Sequence, residues 1–352
     1  MRGVRRVDCS TPGIRRLRRG RGFTYIDERT GEGVRDPETL ERIRSLVIPP
    51  AWRQVWICPI PDGHLQAVGT DDAGRRQYLY HQIWRERRDQ AKFDHVLEFA
   101  RALPALRERV VERLGDEGLS RDRVLACAVR LLDRGFFRIG SESYAEQNDT
   151  YGLATMGRRH VRVQGDTVVF DYASKGGKRV VASVVDPEVR EVVAALRRRR
   201  GGGPGLLAWR DGRCWVDARS EDINDYLKEQ TGSDFTAKDF RTWNATVLAA
   251  VALSASWPVA RSRTARDRAI SRAVKEVARY LGNTPAVCRG SYIDPRLFDR
   301  YRSGLTIEGA LDRVGDVEVL GEPAHHAIEE AVLELISERR AEHLDLGAGR
   351  PA

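Results

Sequence analysis

Long apolar runs are missing from this chain. No stretch of about 18 apolar residues occurs, and the first 25, MRGVRRVDCSTPGIRRLRRGRGFTY, hold no apolar core of a signal peptide. This sets the expectation of an intracellular, cytoplasmic protein. Cysteine is scarce too: Cys9, Cys58, Cys127, Cys214 and Cys288 are scattered, with no Cys-x-x-Cys pair and no histidine at a metal-ligand spacing. Neither a disulfide framework nor a zinc site is indicated. Lysine is rarer than the charge suggests. Of 60 basic residues only six are lysines (92, 175, 178, 228, 238 and 275), and the rest are arginine. Codon bias alone can produce such a skew, so it is not read as phosphate recognition, but it makes each lysine position informative. A phosphate loop is absent as well. RRRRGGGPG (197–205) has the glycines but neither the Gly-Lys-Ser/Thr ending nor a preceding strand, and it reads as a loop between elements. His325-His326 followed by Glu329-Glu330 comes nearest to a metal spacing and reads as the polar face of a terminal helix. No metal and no cofactor are expected.

What is present is ample core for two domains: 352 residues, 41% of them apolar. A net charge of +9 suits a polyanionic partner such as nucleic acid, and equally a basic soluble protein with none. Residues 1–90 read as a small β-rich domain with one helix, started by Asp36-Pro37 and stopped by Ile48-Pro49-Pro50. GFTYI (22–26), VWICP (55–59), HLQAVG (64–69) and RQYLYH (76–81) have strand character around it. Residues 91–352 are mainly helical. Helices are expected at 91–103, 105–115, 120–134, 186–199, 219–230, 237–254, 262–281 and 323–342, with a β-meander at 160–185.

Near the C-terminal end, CRGSYIDPRL places Tyr292 at a junction: Gly282 suits a helix C-cap, Thr284-Pro285 restarts a helix and Asp294-Pro295 starts another. Read alone, Tyr292 is either a half-buried packing residue or a nucleophile. A phenol attacking a phosphodiester needs the nonbridging oxygens neutralised and a proton delivered to the departing sugar oxygen. Arginine suits the first task and lysine the second. Arg138 in RGFFRIGSESY and Arg241 in FTAKDFRTWNATVLAA are candidates for a phosphate clamp, the latter in the first turns of a helix with Thr236 and Asp239 at capping-box spacing. Lys175, at the tip of the meander hairpin in DYASKGGKRVV, is a candidate proton donor. Each also has a plain reading, as a surface arginine or a charged turn.

Together and in this order, these segments resemble the type IB DNA topoisomerases, most closely the bacterial and poxvirus-like branch. AKDFRTWNAT and GSYIDPRL resemble the arginine and nucleophile motifs, while PPAWRQVWICP, GRRQYLYH and LGNTPAVCR resemble the smaller bacterial form. The resemblance runs over about residues 12 to 335. It implies an α+β fold, with a small β-rich N-terminal DNA-binding domain and a larger, mainly α-helical catalytic domain of the tyrosine recombinase/topoisomerase IB type, closing as a clamp around double-stranded DNA. It also implies a monomeric, nucleoid-associated isomerase that relaxes positive and negative supercoils by transient single-strand cleavage, without ATP or metal. Carried over residue by residue, Tyr292 forms the 3′-phosphotyrosyl link, Arg138 and Arg241 clamp the phosphate, and Lys175 protonates the 5′-oxygen, with Lys178 a possible substitute. Tyr78, Tyr80 and Tyr144 match DNA-contacting residues. Two positions depart from the poxvirus-like pattern: Asn283 stands where a histidine is usual, and Ser141 where those enzymes carry a base-reading lysine. Asparagine donates a hydrogen bond but cannot ionise, so position 283 is expected to supply a donor.

Two other readings remain at this point. A tyrosine recombinase shares the chemistry, but it usually has a histidine three residues before its second arginine, where this chain has Lys238. A non-enzymatic DNA binder on the same fold would keep salt-sensitive affinity and form no covalent adduct.

Overall fold

The computed structural model of the protein describes residues 3–315 and 322–337. Its chain separates into two units that adjoin in sequence at Asp94 and His95. In the first, β1 (Ile14–Arg19), β2 (Gly22–Asp27), β3 (Arg53–Ile57), β4 (Leu65–Thr70) and β5 (Arg76–Tyr80) form one antiparallel sheet in the order β2-β1-β3-β4-β5. Helix α1 (Pro37–Ser45) begins where Asp36 accepts a hydrogen bond from the Thr39 backbone N–H at 2.8 Å. Its Ile43 joins Ile14, Val55, Ile57 and Ala67 in a small core. Strand β1 was not anticipated, because IRRLRR looks too charged to be a half-buried strand. Its Arg16 is nonetheless buried, donating to the carbonyls of Ile48, Pro49 and Trp52 at 3.2, 3.0 and 2.7 Å. Those bonds replace the water it gives up.

Helix α2 (Gln82–Leu114) spans the sequence break and corrects the expectation of two helices at 91–103 and 105–115. Pro104 lies inside it. Proline removes one hydrogen bond, but Val96, Phe99, Leu103, Leu106 and Val110 form a continuous buried stripe that keeps the helix running through.

The second unit is built round α3 (Arg121–Gly135), capped by Ser120 and buried over most of its length. After α4 (Glu142–Asn148), strands β6 (Val161–Gln164), β7 (Thr167–Ser174) and β8 (Lys178–Val185) form the antiparallel meander. Along β7 the even-numbered residues Val168, Phe170, Tyr172 and Ser174 point inward. Helix α5 (Pro187–Arg198), an unanticipated hairpin of β9 (Ala208–Asp211) and β10 (Cys214–Asp217), and helices α6 (Ser220–Thr231), α7 (Ala237–Ser256) and α8 (Arg263–Leu281) follow. The short α9 (Pro285–Ser291), α10 (Pro295–Arg302) and α11 (Glu308–Gly315) precede α12 (Glu322–Ser337). The part of the expected terminal helix beyond 337 lies outside the described residues. The whole is the expected α+β arrangement, a β-rich N-terminal unit and a larger helical one. Among the described residues no helix is long and apolar enough to cross a membrane.

Two segments are ordered by buried charge. Arg199, 7% exposed, donates to the carbonyls of Leu196 and Leu206 at 3.0 and 2.7 Å and of Gly203 at 3.3 Å, which gathers the 200–205 loop around it. The other corrects the solvent-facing reading of the 325–330 segment. Glu329 is buried, receiving hydrogen bonds from Arg107 at 2.5 Å and from the Trp243 indole N–H at 2.9 Å, while Arg107 also donates to Asp133 at 2.8 and 2.9 Å. Only a tertiary partner from another helix makes that burial tolerable.

Candidate active site

The site grows from the carboxyl end of α8. That helix ends at Gly282, whose φ of 63° is left-handed and costs glycine nothing. The Gly282 N–H donates to the Arg279 carbonyl and the Asn283 N–H to that of Ala278, leaving the carbonyls of Leu281 and Gly282 to find other partners. Two arginines supply them. Arg241 Nη2 donates to the Leu281 carbonyl at 2.9 Å, and Arg138 Nη2 to the Gly282 carbonyl at 3.1 Å. The negative end of a helix dipole thus holds two guanidinium groups that would otherwise repel each other.

Each arginine has further bonds. Arg138 donates to Ser174 Oγ at 3.1 Å and to Asn283 Oδ1. Arg241, only 5% exposed, donates to the carbonyl of Phe136, a non-glycine residue at φ 55° just after α3. Holding that left-handed residue costs roughly 1 kcal/mol, which the Arg241 bond helps to offset. Burial, and then the Arg138 charge, push the Arg241 pKa below the ordinary arginine value. An anion placed between the two would relieve both effects.

Such a place exists. A cleft of about 480 Å³ is lined by Arg138, Lys175, Lys238, Arg241 and Tyr292, together with Ser141, Ser143, Thr150 and Tyr151, and among the described residues no carboxylate side chain contributes to its wall. Two donors are buried and unpaired: Arg241 Nε, on a residue of the wall, and Asn283 Nδ2, on the residue whose oxygen Arg138 holds. Because Arg138 can only donate, Asn283 must turn its oxygen towards it, which leaves the amide N–H₂ to be offered elsewhere.

Tyr292 follows α9 and is pinned to α7, the helix that carries Arg241. Its backbone N–H donates to the Cys288 carbonyl at 3.0 Å, and the Thr246 hydroxyl accepts from the Asp294 N–H at 3.1 Å and donates to the Tyr292 carbonyl at 3.3 Å. The Arg241 guanidinium sits 5.5 Å from the Tyr292 ring centroid. Tyr172 also lies near both arginines, but burial pushes its phenol up to about 12 and it takes no part in the cleft wall. Of the two, only half-buried Tyr292 faces the cleft.

Residues 81–303, which hold every one of these side chains, match the family described as eukaryotic DNA topoisomerase I, catalytic core, and residues 22–71 match bacterial DNA topoisomerase IB, N-terminal domain. The chain belongs to the type IB DNA topoisomerases. DNA topoisomerase 1B of Acanthamoeba polyphaga mimivirus is 30% identical over 299 residues, covering 83% of this chain and 88% of the viral one. DNA topoisomerase 1 of Daucus carota is 30% identical over 130 residues, 36% of this chain and 15% of the plant protein. DNA topoisomerase 1B of vaccinia virus (strain Copenhagen) is 27% identical over 111 residues, 31% of this chain and 34% of the viral one. The match favours a topoisomerase over the recombinase and the architectural binder.

Within this topoisomerase, Lys175 follows Ser174 in the three-residue turn between β7 and β8 and reaches the cleft, whereas Lys178 opens β8 directly opposite Ser174, exposed and not part of the cleft wall. Tyr78 and Tyr80, on one face of β5 in the N-terminal unit, are exposed and stack with ring centroids 6.2 Å apart. Tyr144 lies in α4, and its side chain is outside what the structure describes. Sequence reasoning gave several wall residues no role in the cleft. Lys238 entered only as the residue at a recombinase's histidine position, yet it sits one helical turn before Arg241 and therefore on the same face. Thr150 carries no sequence signal, because its burial depends on segments distant in the chain.

Proposed function

We propose that this topoisomerase relaxes positive and negative supercoils through a 3′-phosphotyrosyl intermediate on Tyr292, independently of ATP and metal, as a monomer. The Tyr292 oxygen attacks the scissile phosphorus, the phenol proton passes to water, and the bond to the 5′-oxygen breaks. Arg138 and Arg241 neutralise the nonbridging oxygens as charge builds on them, and the Asn283 amide donates to one of them. Lys175 protonates the departing 5′-oxygen. The duplex then rotates about the intact strand, and the 5′-hydroxyl attacks the phosphotyrosine to restore the backbone. The ester on Tyr292 keeps the energy of the bond it replaced, so resealing needs no nucleotide.

Residues 1–90 act in this reading as a DNA-binding domain and 91–352 as the catalytic domain, the two closing as a clamp on duplex DNA in the nucleoid. Tyr78 and Tyr80, with Tyr144 and Lys178, contact the DNA, and basic surface supplies salt-dependent, sequence-tolerant affinity. Ser141, at the cleft where a base-reading lysine would stand, offers only a short hydroxyl and so argues for relaxed sequence preference.

The observation that carries the reading is the convergence of Arg138, Arg241, Lys175 and Tyr292 on one cleft whose described residues include no carboxylate. The experiment is relaxation of negatively and positively supercoiled plasmid in EDTA without ATP. Wild type should relax both and leave a covalent adduct when quenched with detergent, and Tyr292→Phe should do neither. Relaxation surviving the loss of that one hydroxyl would end the proposal.

A further inference from the structure

Thr150 is 8% exposed, and its hydroxyl has no hydrogen-bond partner, yet the residue forms part of the cleft wall. A hydroxyl shut away from water and left unpaired is unfavourable, and proteins retain few of them. Its position is tightly held. The Tyr151 N–H donates to the Ala173 carbonyl at 2.7 Å, tying the segment to the base of the hairpin that carries Lys175. On the other side, the Leu153 and Ala154 N–H groups donate to the carbonyls of Arg138 and Ile139 at 2.8 and 2.7 Å. At Gly152 the backbones come so close that a Cβ would lie 2.4 Å from Gly140 Cα. Thr150 is therefore fixed between the segment bearing Arg138 and the turn bearing Lys175.

We infer that Thr150 is a further catalytic residue, whose hydroxyl donates to a phosphate oxygen of the bound DNA strand. The inference rests on the cleft being the site of strand cleavage. The wall around Thr150 includes cations, which cannot accept its proton, and neutral Ser141, Ser143, Gln147 and Tyr151, none of which bonds its hydroxyl; an entering phosphate brings charged oxygens that accept more strongly. The bond forms as substrate arrives and strengthens as charge accumulates on phosphorus, so the unpaired state of the free protein is the cost of a donor already in place.

The test compares Thr150→Val, which keeps the branched shape and loses the hydroxyl, with Thr150→Ser, which keeps the hydroxyl. Single-turnover cleavage of a suicide duplex should fall about 10- to 100-fold in Thr150→Val and return to within a few-fold of wild type in Thr150→Ser. Thr150→Val should melt no lower than wild type, because it removes an unpaired polar group rather than a bond. A clear drop in its melting temperature would assign the hydroxyl a structural partner and overturn the proposal, as would wild-type cleavage by Thr150→Val or equal defects in both variants. A duplex with a sulfur-substituted 5′-leaving group separates a role at the phosphate from one through Lys175. Thr150→Val should stay slow on it, and full recovery would show that the residue acts on the acid instead. Failure of the wild type to form any Tyr292 adduct would overturn the reading of the cleft itself, and Thr150 with it.

Discussion

Replacing Asn283 gives a sharp test, since one of its amide atoms is bonded and the other is not. Oδ1 accepts from Arg138, and Nδ2 is a buried donor with nothing to bind in the free protein. If Nδ2 meets a nonbridging oxygen, losing it removes one hydrogen bond to a charged group, worth about 1.5–3 kcal/mol, or roughly 10- to 150-fold in rate. Asn283→Ala should fall towards the lower rates in that range, because Arg138 also loses a partner and keeps only Ser174 and Gly282. Asn283→His, which retains an N–H donor, should be only mildly slower. Asn283→Asp preserves the size and the Arg138 contact but turns the donor into an anion. At about 4 Å from a phosphate oxygen and an effective dielectric near 20, the repulsion is of the order of 4 kcal/mol, part of it offset by Arg138. The aspartate variant should therefore cleave at least tenfold more slowly than alanine, although it binds Arg138 better. The assay is single-turnover cleavage with detergent trapping of the adduct, with melting curves to establish that each variant is folded. Equal rates for the four proteins, or an aspartate variant faster than alanine, would refute the donor role.

Lys175→Ala should cleave an ordinary duplex poorly and recover on one with a sulfur-substituted 5′-leaving group, which departs without a proton, while Lys178→Ala should be near wild type on both; the reverse pattern would move the acid to Lys178. Glu329 predicts an acid limit to stability. Burial opposes ionisation, but the hydrogen bonds with His325 and Arg107 win and draw its carboxyl from the ordinary 4.5 to about 2. A depressed carboxylate stabilises the fold above its unfolded value, and that contribution, roughly 3 kcal/mol at about 1.4 kcal/mol per pH unit, is lost as pH falls from about 4.5 towards 2. Glu329→Gln should be less stable at neutral pH and show a shallower acid decline; denaturation curves for the two proteins that run parallel with pH would contradict this.

Local signals carried much of the fold. Asp36-Pro37, Thr284-Pro285 and Asp294-Pro295 are helix starts in which the capping atom and its partner lie within three residues, so each could be recognised where it stands. The same local rules failed where distant residues override them. Pro104 sits within an unbroken helix because its neighbours are buried on one stripe, and β1 hides behind its arginines because Arg16 finds its carbonyls some thirty residues on. Glu329 reads as solvated until Arg107 and Trp243 come to it.

At the site the division follows the same physics. The sequence by itself offered Tyr292, Arg138, Arg241, Lys175 and Asn283 as candidates, since residue types in ordered motifs survive being written out in a line. Only the tertiary structure decided that the two arginines share the carbonyl end of α8, that Asn283 gives its oxygen to Arg138 and keeps an unpaired amide nitrogen, and that the Thr150 hydroxyl is buried with no partner. Burial and hydrogen-bond partnership belong to neighbours in space, and here those neighbours come from α3, the meander, α7 and α8, which only folding brings together.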